Sequence, residues 1–153
     1  KRTEKARCSK EGRTRPKALH FLAGALTFQG ASGVGGGLVL SLDPSGESVG
    51  IPLEWLQGSP FPDYMVPGVI LLVLLGIGPL VVAYGVWTGQ VWSWSASVFV
   101  AFSLLTWLGV EIVVIGYHPE PPLQMVYGIV ALSILVGAYF PSVRGYLRSR
   151  GTA

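Results

Sequence analysis

The chain has 153 residues, of which 50% are hydrophobic and only 12% charged, whereas soluble domains carry about 25% charged residues. That shortage excludes a water-facing surface over most of the chain, and the single cysteine, Cys8, excludes an internal disulfide. All eleven lysines and arginines lie at the two ends, eight between Lys1 and Lys17 and three at Arg144, Arg148 and Arg150, around a middle without a base.

Residues 1–17 read as a polar, basic cytoplasmic tail. They contain no aromatic ring on which a nucleobase could stack. The expected partner is therefore the anionic lipid headgroup and not nucleic acid. The first membrane span is predicted from residue 18 to about 42, longer than the apolar core of a signal peptide. It is the least apolar span and carries His20, Gln29, Ser32 and six glycines. The run from Gly30 to Gly37 has no following Lys-Ser or Lys-Thr and no preceding strand, so it is not a phosphate loop. Gly33 and Gly37 form a small-xxx-small pair, as do Ala31 and Gly35, and close helix packing is the expected use.

Residues 43–65 form an expected outer segment with four acids and no base. Asp43-Pro44-Ser45-Gly46 reads as a turn. The stretch from Ile51 to Gln57, with Leu53, Trp55 and Leu56, reads as a short interfacial helix. The proline-rich run from Ser59 to Tyr64 leads back into the bilayer.

The second span, about 66–88, has no charged residue. Gly76, Gly78 and Pro79 lie near its middle. Proline removes a helical hydrogen bond, so a kink or local unwinding is expected there. Such breaks at the midplane can expose backbone groups to a substrate.

An aromatic belt of Trp87, Trp92 and Trp94 precedes the third span, about 94–117, which contains Glu111. Glu111 lies about 9 Å inside the outer boundary at 1.5 Å per residue. A carboxylate at that depth should face the bundle interior or water. It is either a proton-carrying or cation-binding group, or a hydrogen-bonded acid that locks helices together. Depth matching selects Tyr127 as its partner, with Gln29 deeper in the first span. The run from Tyr117 to Pro122 forms an outer turn, the fourth span covers about 122–140, and Pro141 helps end it. Residues 144–153 read as a second basic cytoplasmic tail.

His20 and His118 fall near opposite faces, so they cannot share a metal. Paired axial haem ligands and a nucleophile–base–acid set are both missing. No catalytic residue, metal or cofactor is expected from the residues themselves.

The glycine-rich first span, the outer segment, and a second span opening Pro67-Gly68-Val69-Ile70-Leu71-Leu72-Val73-Leu74-Leu75-Gly76 make the chain similar to small four-helix bacterial membrane proteins, including the DoxX-like group. The likeness runs roughly from Leu19 to Phe140. Thr88-Gly89-Gln90 stands where such proteins commonly carry a basic residue. The resemblance implies the four-span architecture. Because some of those proteins associate with quinone or thiol redox systems, quinone is the one cofactor it suggests. It transfers no catalytic residue.

The expected fold is all-α: an integral membrane four-helix bundle with a short outer interfacial helix between spans one and two. The expected location is the cell's inner membrane, with both termini cytoplasmic. The expected role is a non-enzymatic partner or subunit of a homo- or hetero-oligomeric membrane assembly. Two alternatives are a small transporter or proton pathway through Glu111 and the Gly78-Pro79 break, and a DoxX-like redox accessory.

Overall fold

The computed structural model describes residues 15–117 and 122–149. The expected tails at 1–14 and 150–153, with Cys8 and Arg150, and the turn at 118–121, with His118 and Glu120, lie outside the described residues. Everything regular among the described residues is helical. Helices α1 (Lys17–Leu42), α2 (Met65–Thr88) and α3 (Trp92–Ile115) are each long and apolar enough to cross a membrane. Helix α4 (Leu123–Tyr139) has 17 residues, about 25 Å of rise. After Phe140 the chain bends by 57° into α5 (Pro141–Ser149), and the bent pair taken together gives a fourth candidate span.

Long, mainly apolar runs underlie helices α2, α3 and α4. They contain one charged side chain between them, Glu111. Helix α1 packs on α2 and α4, and α3 packs on the same two, so the four form a ring. The larger core cluster joins Leu19, Leu22 and Leu26 of α1 to Val82 and Val86 of α2, Ala101 of α3, Ile134 of α4 and Leu147 of α5. The described ends of the chain therefore meet at one end of the bundle. Arg15, Lys17, Arg144 and Arg148 sit there, and this is the basic end. Asp43, Glu47, Glu54 and Asp63 belong to the α1–α2 connection at the opposite, acidic end. A second cluster of Leu75, Leu104, Leu108 and Ala131 fills the half nearer the acidic end.

The α2–α3 turn is tight because Gly89 adopts φ 75°, a left-handed conformation that favours glycine. The Gln90 N–H then reaches back to the Gly85 carbonyl at 2.8 Å.

Two segments differ from expectation. The outer segment holds two separate 3₁₀ turns, Glu47–Val49 and Leu53–Leu56, in place of one amphipathic helix. Gly50, at φ 68°, and the extended Pro52 interrupt the path between them. At the other end, residues read as a basic tail are mostly α5. Val143, Tyr146 and Leu147 are buried along one face of it, while Arg144 and Arg148 are exposed on the other. The same residues that mark the topology also carry a helical apolar period.

Candidate functional site

The α1–α2 seam starts from one missing proton. Pro79 has no N–H, so the Leu75 carbonyl four residues earlier loses its ordinary helical donor. The helix relaxes ahead of that point. Leu71–Ile77 is a π-helical stretch, and Gly78 donates to Val73, five residues back. Gln29 supplies the lost donor: its Nε2 donates to the Leu75 carbonyl at 3.2 Å. Gln29 is 1% exposed, and its Oε1 has no partner among the described residues.

Gln29 reaches α2 because the glycines of α1 remove everything between the backbones. A Cβ at Gly33 would overlap the Leu75 carbonyl. One at Gly37 would lie 2.5 Å from the Leu72 nitrogen, and one at Gly30 2.5 Å from Leu80 Cγ. On the facing side, a Cβ at Gly76 would meet the Val34 nitrogen at 2.8 Å. The structure thus joins Gly33 and Gly37 with the break at Gly76 and Pro79. A Cβ at Gly78 would meet only the Val73 carbonyl oxygen of its own helix, at an ordinary 3.5 Å.

Of the three expected polar residues, Gln29 is engaged at this seam. Glu111 continues the inward stripe of Leu104 and Leu108 on α3 and is half-buried. It stands two turns beyond Leu104, about 10 Å nearer the acidic end. Tyr127, also half-buried, packs on the cluster of Leu75, Leu104, Leu108 and Ala131. Glu111 and Tyr127 therefore lie on adjacent packed helices, with Gln29 in a separate place.

Both ends of the bundle have their own polar ties. At the acidic end, the Asp43 carboxylate accepts from the hydroxyl of Ser45 and from the hydroxyl and N–H of Ser48. These donors, Ser45 first, hold its pKa down at about 2. Tyr64 is buried beside it and donates its hydroxyl to the Pro52 carbonyl at 3.0 Å. Burial pushes that phenol upward. Gln124 Nε2 donates to the Gly116 carbonyl at 3.0 Å, which ties the start of α4 to the end of α3.

At the basic end, the Trp94 Nε1 donates to the Ala138 carbonyl at 2.9 Å. The Arg144 guanidinium lies 5.1 Å from the Trp94 ring centre, and Arg15 takes the same position over Trp87. His20 meets Trp87 edge-on at 5.5 Å. The aromatic belt was legible in the sequence, but its pairing with the arginines was not.

Two surface concavities accompany these features. One, of about 380 Å³, runs between α1 and α4 with Gly24 and Ala25 at its floor and Phe21, Phe28, Val130 and Ser133 around it. The other, of about 340 Å³, lies at the α4–α5 elbow. Among the described residues, no three His, Cys, Asp or Glu side chains gather as metal ligands.

No protein-family model, curated protein or solved structure matches the chain. All-helical architecture with three helices able to span a membrane, or four with the bent pair, defines the class to which the chain is assigned: candidate multi-pass membrane proteins.

Proposed function

We propose that α1 to α4 cross the bilayer as a bundle, and that the chain serves as a non-enzymatic subunit of a larger membrane assembly. The membrane part is supported by a belt of exposed apolar side chains. Phe28, Val73, Val81, Phe99, Phe102, Val113, Ile129 and Val136 are all more than half exposed. A water-soluble monomer rarely shows apolar surface of that extent. In this reading the turns of 43–64 lie at the outer membrane–water interface.

The subunit part is carried by one observation: the groove floored by Gly24. The inward glycines of α1 are consumed by α2, so they need no partner from outside. Gly24 and Gly35 face outward, and a Cβ at either would meet nothing within 4 Å. Ala31 is exposed on the same stripe. Small residues on a lipid-facing stripe let a second helix approach closely, and Phe21 and Phe28 supply walls for its side chains.

The test is mass in mild detergent. The wild-type chain should run with a partner or a second copy, at well above its own 16.3 kDa. Gly24→Leu fills the groove without touching the fold, and should release the monomer. A wild-type particle of monomer mass, or a Gly24→Leu particle of unchanged composition, rejects the subunit role. Recovery of the protein in the soluble fraction after membrane pelleting rejects the membrane placement itself.

A second reading is favoured by the half-buried position of Glu111 on the inward stripe of α3. It makes that carboxylate a station for protons or cations. Proton flux into reconstituted vesicles that disappears with Glu111→Gln would support it. Equal flux in vesicles without protein would reject it.

A further inference from the structure

We infer that the α4–α5 elbow is a binding site for the phosphate of an anionic phospholipid headgroup, held by Arg144 and Arg148. The inference rests on the membrane placement proposed above, and not on the subunit role.

The site is built from the bend. At Phe140-Pro141 the chain turns by 57°, and α5 leaves the direction of α4. Val143, Tyr146 and Leu147 anchor it against the bundle core. With that face fixed, Arg144 and Arg148, four residues apart, share the exposed face. Gly145 between them adds no side chain, and a Cβ there would meet nothing within 4 Å. The result is an open groove of about 340 Å³ lined by Tyr139, Pro141, Arg144, Gly145 and Arg148.

Preorganisation comes from Trp94. Its indole N–H is tied to the Ala138 carbonyl, and its ring meets Tyr139 edge-on at 5.9 Å. That fixed ring carries the Arg144 guanidinium on its face. A stacked guanidinium keeps its N–H edge free, which is the edge that grips phosphate in pairs of hydrogen bonds. Arg148 has no ion pair or hydrogen bond among the described residues. The acids of the described chain lie on the α1–α2 connection or on the acidic half of α3. Among the described residues, two arginines therefore face one groove with no acidic side chain beside them.

The choice of a lipid over a free phosphate follows from what borders the groove. Phe140 at the bend and Tyr139 and Val136 of α4 are about half exposed and border it with an apolar face. A headgroup phosphate seated on the arginines would lay its acyl chains along that apolar face. Aromatic and arginine side chains at the bilayer boundary suit such contact. A soluble phosphate gains nothing from it.

Native mass spectrometry of the full-length protein in mild detergent tests the site, with phosphatidylglycerol and phosphatidylcholine as probes. Phosphatidylglycerol should be retained and phosphatidylcholine lost. Arg144→Gln with Arg148→Gln should weaken retention roughly 25-fold, since each arginine at an anionic surface contributes about fivefold. Arg144→Lys keeps the charge and loses the fork, and should fall between. Gly145→Leu keeps every charge, favours the helix and blocks the groove; it should also lose the lipid. It remains informative if the double variant fails to fold. Arg15→Gln with Lys17→Gln removes an equal charge elsewhere and should leave retention unchanged. An equal loss with that pair would mean diffuse charge attraction and overturn the site. So would unaltered retention in Gly145→Leu, or displacement of phosphatidylglycerol by millimolar inorganic phosphate. Failure of the membrane placement would instead show as a protein that dissolves without detergent.

Discussion

Single residues carry two separable effects. Asp43 lies on the exposed acidic end, and its pKa is held at about 2 against an ordinary 3.8. A carboxyl whose folded pKa lies below its unfolded value stabilises the loop above the unfolded value and stops doing so as pH falls through the folded one. Order in the 43–48 turn should therefore be complete above pH 4 and be lost towards pH 2. Amide exchange at Ser45 and Ser48 across that window measures it, and Ser48→Ala should move the carboxyl titration upward. Gln29 acts through a different link, its side-chain bond to the Leu75 carbonyl. Gln29→Met removes that donor and should cost about 0.6–2 kcal/mol, the range of hydrogen bonds between membrane helices. Pro79→Ala restores an N–H at the position where Leu75 expects one. The double variant should thus be less damaged than Gln29→Met alone, as thermal unfolding in detergent would report. Additive losses would mean that Gln29 and Pro79 do not share the carbonyl.

Among helices, the glycines of α1 divide by face, and a substitution series reads the division directly. Gly33→Ala and Gly37→Ala push a methyl into the backbone of α2. Overpacking of that kind costs about 1–3 kcal/mol. Gly35→Ala points into open space and should be neutral, or stabilising by up to about 1 kcal/mol from helix propensity. Melting temperatures of the three variants in one detergent check it, and equal losses at Gly35 and Gly33 would refute the assignment of faces. The pairing of Gly33 with Gly37 is legible from spacing alone. What they pack on is not, because α2 is apolar all round and offers no period by which to orient it. The π-helical stretch at Leu71–Ile77 is hidden for the same reason: Pro79 announces a missing bond, but a uniform apolar run does not say how the turn adjusts. Helix α5 was hidden differently. Val143, Tyr146 and Leu147 have helical spacing, but the interleaved Arg144 and Arg148 present first as a charge signal.

The molecule as a whole is an electrical asymmetry built on an apolar ring. Four described cations occupy one end, while the four acids of the α1–α2 connection occupy the other and Glu111 stands on the acidic half of α3. Four helices in a ring return the chain to the end at which it starts, so Arg15 and Lys17 of the first helix join Arg144 and Arg148 of the last. Basic residues flanking spans are retained on the cytoplasmic side, and acids contribute little to that choice. The two arginine-bearing ends thus reinforce one orientation. The single cysteine of the chain, Cys8, lies in the N-terminal run that shares this charge, which makes it a built-in reporter. A membrane-impermeant maleimide should leave Cys8 unmodified in intact cells and label it in inverted vesicles. Reaction in intact cells would place the basic end outside. The α4–α5 elbow would then meet the outer leaflet and not the cytoplasmic leaflet, where anionic lipids create the attractive surface potential.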